Sequence, residues 1–278
     1  MKNALTIDLE DYYHVSAFSE QTPVADWSTK QSRVERNTDL LLDLLDEAGC
    51  KATFFALGWV AEQQPQVVRR VAERGHEVAC HSLRHRSVFD MTRSEFREDT
   101  LRAKMLLENC SSKPVVGYRA PSFSIIQESL WALEVLAELG FTYDSSIFPV
   151  THPNYGVPGG NRDPYRVQTP SGMLIEFPMT TLEIAGLRSP FAGGAYFRLL
   201  PYWYTRWGIR YLNQCEDRPV CVYIHPWELD PEQPRMSGNL SSRVRHYLGL
   251  HRTPSKLRHL VHDFEFLPLG VLAADLRA

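Results

Sequence analysis

Glu77-Val-Ala-Cys-His-Ser-Leu-Arg-His85 decides how the rest of the chain is read. A short apolar run passes without a break into two histidines, as a strand does when it delivers polar side chains to one end of a sheet. Working back, Pro65 opens a helix carrying Val67, Val68 and Val71 that ends near Gly75, and residues 52–57 read as another strand. Before that, residues 34–48 have helical periodicity, with Leu40, Leu41, Leu44 and Leu45 on one face and Gly49 as the stop. Residues 5–9 are the first strand. Working forward, the pattern predicts a helix over 94–109 capped by Ser94, a strand at 115–118, a helix over 129–139 closed by Gly140, and a strand at 141–143.

Such alternation is the mark of parallel β/α units, whose chemistry sits just past the strand ends. From 150 to 192 the texture turns to Pro, Gly and Asn, with a hairpin at 167–177. We read this stretch as an irregular insertion decorating the sheet of a single domain over residues 1–278. Residues 201–213 read as a helix, 219–224 as a strand ending at His225, and 248–269 as a closing helix with a last short strand.

Composition excludes several classes. The 44% apolar and 23% charged residues are those of a folded globular protein, and the net charge of −3 argues against a nucleic-acid footprint. The opening apolar run is cut short by Asp8, Glu10 and Asp11, so neither a signal peptide nor a transmembrane segment is expected. Five cysteines without a CxxC pair point to reduced thiols and a cytoplasmic setting.

The chemistry-bearing residues cluster at strand ends. His81 and His85, four apart, can reach one ion from a single helical face, although a plain surface pair has the same spacing. Asp8, Glu10 and Asp11 would repel one another unless a cation or shared proton relieved them, and strand alternation puts Asp8 and Glu10 on one side. Apolar runs also deliver His225, beside Trp227, and Arg119, with Pro121 fixing the turn after it; Asp144 follows a further one. His14, Tyr196, Phe197, Trp203 and Trp227 could face a sugar, against the plainer reading of core or loop residues. Cys80 reads as a core thiol, and the basic set Arg243, Arg245, His246, Arg252, Lys256 and Arg258 as a solvated helix face.

In order, Thr6-Ile-Asp8, His81-x-x-x-His85, Arg119-x-Pro121, Asp144 and Ile224-His225 resemble the motifs of the polysaccharide deacetylase family (chitooligosaccharide deacetylase-like, carbohydrate esterase family 4). The opening Asp-x-Glu-Asp-Tyr-Tyr-His-Val, with 196–202 and 225–231, resembles a bacterial subgroup found at exosortase-type exopolysaccharide loci. The resemblance implies a distorted, incomplete (β/α) barrel and a metal-dependent hydrolase that removes N-acetyl groups from amino-sugar units of a polysaccharide or its lipid-linked precursor. It implies Asp8 as general base, His81 and His85 as ligands, Arg119 holding Asp8, His225 as general acid and Asp144 tuning it. Leu9 stands where the family carries a second aspartate, so the third ligand must be Glu10 or Asp11, with Glu10 favoured. His14, Pro121, Tyr196 and Trp227 are then candidates for substrate contact, and exopolysaccharide assembly machinery a candidate partner. Zinc is the expected ion, with cobalt or nickel also suited to these ligands. A deformylase or amidase acting on a lipid-linked sugar or small cyclic amide would share the fold and the dyad. A carbohydrate-binding protein without activity is the rival of another class.

Overall fold

The computed structural model describes residues 1–152 and 155–277, so two positions of the expected insertion, 153 and 154, lie outside the described residues. The strands are β1 (Asn3–Leu9), β2 (Thr53–Ala56), β3 (Glu77–Cys80), β4 (Gly117–Tyr118), β5 (Tyr143–Asp144), β6 (Tyr165–Thr169), β7 (Gly172–Glu176), β8 (Thr181–Ile184), β9 (Leu187–Pro190), β10 (Cys221–Ile224) and β11 (Phe266–Leu267). The helices are α1 (Val34–Glu47), α2 (Gly58–Gln63), α3 (Pro65–Glu73), α4 (Arg93–Ser111), α5 (Ala132–Glu138), α6 (Gly194–Leu199), α7 (Tyr202–Cys215), α8 (Leu240–Tyr247), α9 (Thr253–Asp263) and α10 (Leu269–Asp275).

One curled sheet runs in the order β10-β1-β2-β3-β4-β5-β7-β6, parallel throughout except for the β6–β7 hairpin, and β11 pairs with the first residues of β1. Its ends, β10 and β6, do not pair with each other, which leaves a distorted, incomplete (β/α) barrel. Every residue of β1 is buried, as a central parallel strand requires. Alternation divides it: Leu5, Ile7 and Leu9 join the core that includes Leu41, Leu44 and Leu45 of α1, whereas Ala4 packs with Phe55, Ala79 and Tyr143 inside the curl. Thr6 and Asp8 share Ala4's face, so the polar groups stack above an apolar floor.

Two local readings change. Helix α4 is capped by Thr92 rather than Ser94. Thr92 Oγ1 accepts from the Glu95 amide at 3.3 Å and Glu95 Oε2 accepts from the Thr92 amide at 2.8 Å, a reciprocal box that Ser94 could not form. The expected hairpin forms, yet it does more than decorate: β7 lies parallel to β5 and extends the main sheet.

That pairing sets Asp144 opposite Glu176. Both are buried; Ser146 Oγ donates to Asp144 Oδ1 at 2.6 Å and the Ile147 amide to Glu176 Oε1 at 3.0 Å. Burial, with the Asp144 charge beside it, holds the Glu176 carboxyl well above its ordinary range. A carboxyl raised by folding contributes its full stability below the unfolded pKa, about 4.3, and that stability is lost as pH rises through the folded value. Urea unfolding across pH 4–9 should therefore show wild-type stability falling above pH 5, and the fall should be shallower in Glu176→Gln. An equally steep fall in the variant would place the titration elsewhere.

Candidate metal centre and acid–base pair

Asp8 ends β1, and Glu10 follows on the same side, its amide donating to the Asp8 carbonyl at 3.0 Å. His81 follows β3 directly. His81 and His85 are not brought together on a helical face, as their spacing suggested. The segment is a tight turn in which Ser82 and His85 take φ of 66° and 54°, and Ser82 Oγ accepts from the His85 amide at 3.1 Å. The turn leaves the two ring centroids 5.3 Å apart. One ligand atom from each of Glu10, His81 and His85 then lies within 4.8 Å of the others.

These residues suit a divalent cation. His81 Nδ1 lies 2.8 Å from the Arg119 carbonyl, which can only accept, so the proton is on Nδ1 and the Nε2 lone pair is free. His85 Nδ1 faces Ser16 Oγ at 3.3 Å, and its Nε2 lies 3.1 Å from Glu10 Oε2. Burial lowers His81 to about 4 and takes His85 well below its usual value, keeping both rings neutral. Burial also pushes the Glu10 carboxyl up to about 7, and its Oε2 has no hydrogen-bond partner among the described residues. Two neutral imidazoles and a carboxylate that burial keeps from ionising form a donor set that a bound cation would satisfy.

Asp11 stands apart. Its Oδ2 accepts from the Arg33 amide at 2.7 Å, the Val34 amide at 3.1 Å and Ser32 Oγ at 2.8 Å, and its Oδ1 from the Tyr12 amide at 2.9 Å. This carboxylate serves the N-terminus of α1, where amides lack partners and a negative charge is favoured.

Asp8 and His225 flank the triad. Arg119 Nη1 donates to Asp8 Oδ1 at 2.8 Å, while Asp8 Oδ2 lies 3.9 Å from His225 Nε2. Burial would raise the Asp8 carboxyl, but the charge of Arg119, with that of His225 and the Arg119 hydrogen bond, outweighs it and holds the group below its ordinary value. His225 Nδ1 lies 2.5 Å from Glu228 Oε1, and Glu228 is in turn paired with Arg198. Burial opposes the charged ring, yet Glu228, with Glu10 and Asp8 behind it, raises His225 above its ordinary value. Glu228 is held down to about 2, its burial outweighed by Arg198 and His225. Asp144, expected beside His225, is instead engaged with Ser146 and Glu176 on the far strands. Glu228 takes the place expected of it. Its signal in the sequence is the i,i+3 spacing from His225 across Pro226, which opens a short helical turn.

An open cleft of about 890 Å³ exposes Asp8, Glu10, His81, His85 and His225. Trp227 lines it but is buried, stacked between His225 and His246 with its Nε1 donating to Glu10 Oε1 at 3.3 Å, so it backs the site instead of presenting an open platform. His14 does not line the cleft: its Nδ1 accepts from the Asp11 amide at 3.0 Å and its ring packs on Trp27. Pro121 is buried at the head of a turn whose next two residues, Ser122 and Phe123, reach the cleft. Tyr196 lies under the Arg245 guanidinium, 5.9 Å from ring centroid to Cζ. Trp203 is 68% exposed on α7, and Cys80 is a core thiol, as expected.

Comparison with known proteins agrees with this arrangement. Residues 26–143 match the family model described as polysaccharide deacetylase, and residues 145–273 match one described as a domain of unknown function (DUF3473). A peptidoglycan-N-acetylglucosamine deacetylase of Bacillus cereus is 32% identical over 98 residues, 35% of this chain and 36% of that protein. A chitooligosaccharide deacetylase of Sinorhizobium fredii is 33% identical over 100 residues, 36% of this chain and 44% of that protein. The chain thus spans less than half the length of these relatives. A Mycobacterium smegmatis structure bearing the polysaccharide deacetylase description superposes with a TM-score of 0.65 at 20% identity, covering 99% of this chain and 91% of that one. The structure of Puue allantoinase superposes at 0.64 and 15% identity, covering 98% and 89%; both likenesses concern the fold. Over residues 26–143 the chain is similar to the polysaccharide deacetylase family.

Proposed function

We propose that this protein is a divalent-metal hydrolase that removes N-acetyl groups from amino-sugar units of a polysaccharide or its precursor. The observation that carries the reading is the convergence of Glu10, His81 and His85 on one point, with an arginine-held carboxylate and a carboxylate-held imidazole flanking it. Glu10, His81 and His85 would hold the ion, and zinc is the ion we expect. When bound, it supplies Lewis acidity that polarises the acyl carbonyl and lowers the pKa of water. Asp8, kept ionised and fixed by Arg119, accepts the proton of the attacking water. His225, kept protonated by Glu228, delivers a proton to the amine nitrogen as the C–N bond breaks.

The volume of the open cleft, about 890 Å³, suits a sugar chain better than a small cyclic amide. We read that chain as an exopolysaccharide or its lipid-linked precursor. The free cysteines, four of them buried, are compatible with a reducing compartment, and no helix among the described residues is long and apolar enough to cross a membrane. The site draws on both matched segments, so we take the whole chain as one catalytic unit.

Elemental analysis of gently purified protein should find about one equivalent of divalent metal. His81→Ala and His85→Ala should lose it while staying folded, and Glu10→Gln should lose more of it than Asp11→Asn, whose effect should be on stability. The reverse ranking would move the third ligand to Asp11. Acetate release should be seen from acetylated amino-sugar oligomers but not from cyclic ureides, with formylated sugars as the control for acyl preference. Asp8→Asn should abolish turnover and keep the metal. The pH profile should be bell-shaped with His225 setting its alkaline limb; removing the Glu228 charge lowers the imidazole pKa, so Glu228→Gln should move that limb to lower pH. Asp144→Asn should leave the limb in place. His225→Ala should cut the rate by roughly 10²–10⁴. An alkaline limb unmoved in both Glu228→Gln and His225→Ala would assign it to another group.

A further inference from the structure

We propose that Arg245 recognises an anionic group of the substrate, so that the glycan accepted here carries a carboxylate or phosphate close to the reacting sugar. The inference rests on the deacetylase reading and narrows its substrate class. Arg245, on α8, lines the same cleft as the metal triad. Two other arginines near the site are each consumed by a carboxylate, Arg119 by Asp8 and Arg198 by Glu228. Among the described residues, Arg245 makes no such ion pair. The groups that act on its charge are phenols, Tyr155, Tyr223 and Tyr196, with the Tyr196 ring centroid 5.9 Å from its Cζ. Burial pushes Tyr155 up to about 12 and Tyr223 well above its usual value, so these phenols are neutral at physiological pH.

Exposed at the cleft wall and given no counter-charge by the described residues, this guanidinium is open to a ligand. A ligand oxyanion would supply that charge, and the fork of the guanidinium fits carboxylate and phosphate alike. The position is set firmly. Tyr223 stands between Arg245 and the acid, its ring centroid 6.0 Å from that of His225. Its ring is pinned by the Gly193 backbone, where an added Cβ would come within 2.1 Å of it. An anion at Arg245 therefore lies one side chain away from the reacting acyl group. The basic set read as a solvated face is divided: His246 and Lys256 are buried, whereas Arg245 stays exposed but at the cleft.

The test compares three probes on the metal-loaded protein: tetraacetylchitotetraose, which is neutral; a tetrasaccharide alternating glucuronate and N-acetylglucosamine; and UDP-N-acetylglucosamine. Wild type should favour at least one anionic probe over the neutral one in kcat/KM, and which of the two it is separates carboxylate from phosphate. Arg245→Gln should lower kcat/KM for that probe roughly 10–100-fold more than for the neutral one, as loss of a charge-assisted hydrogen bond predicts, chiefly through KM. Arg245→Lys, which keeps the charge, should recover part of the difference. Calorimetric binding of the anionic probes to metal-free wild type and Arg245→Gln gives a readout independent of turnover. If no probe releases acetate yet anion binding still depends on Arg245, the deacetylase reading fails and the anion site stands. If wild type shows no anion preference in either assay, or Arg245→Gln weakens neutral and anionic probes equally, the proposal is overturned.

Discussion

The buried guanidinium of Arg119 is the constraint on which the rest of the site depends. It is fully enclosed, and a charge so placed costs several kcal/mol unless every donor is met. Four strands meet it: Thr6 Oγ1 and Asp8 Oδ1 of β1, the Ser145 carbonyl and hydroxyl after β5, Cys221 Sγ at the start of β10, and the Phe55 ring of β2, 4.2 Å from its Cζ. The Arg119 carbonyl also fixes the tautomer of His81. One side chain thus ionises the base, and its own backbone presents the lone pair of a ligand. This residue ties β10, at one end of the sheet, to β1, β2 and the segment after β5.

Around that tie, five acids and bases in one small volume are driven to different states by their surroundings. Asp8 has an arginine and stays ionised. Glu10 lies as deep, has no arginine, and burial outweighs the His225 charge 3.5 Å away, so it is pushed toward neutrality. His225 has the ionised Glu228 at Nδ1 and stays charged, whereas His81 meets only a neutral carbonyl and His85 a Glu10 carboxyl that burial pushes up, and both stay neutral. Burial is common to all five and so cannot distinguish them. The distinction comes from single hydrogen-bonded neighbours, which is the usual way one fold holds an acid and a base at the same pH.

This explains what was legible in the sequence. Strand ends were legible because apolar runs stop at polar residues, and Asp8, His81, Arg119 and His225 all sit there. Period-two alternation separated Glu10 from Asp11 correctly, since the two point to different sides of a strand end. Partnerships were not legible. Asp144 and Glu228 both follow strands, and only the register of β7 beside β5 shows that Asp144 is already engaged. The turn at His81–His85 was misread as helical because spacing alone cannot tell a helix from a tight turn, and the left-handed φ of Ser82 and His85 leaves no residue-type mark such as glycine. The part played by β7 was hidden for a similar reason: a polar, proline-rich stretch looks like decoration until its pairing is known.

The two matched segments meet at β5, yet neither holds a working site. Residues 26–143 contribute His81, His85 and Arg119; residues 145–273 contribute His225, Glu228, Arg198 and Arg245. Asp8 and Glu10 precede both, on the strand that pairs with β2 on one side and β10 on the other. In the proposed reaction, metal ligation and base activation therefore come from the first half of the chain, and the proton donor with its tuning chain from the second. The wall carrying Tyr155, Tyr196 and Arg245 is built wholly from the second segment, apart from every ligand. Its side chains can change without moving Glu10, His81 or His85, whereas any shift of β10 relative to β1 would carry His225 away from Asp8. Substrate choice is free to vary in this architecture; the register between β1 and β10 is not.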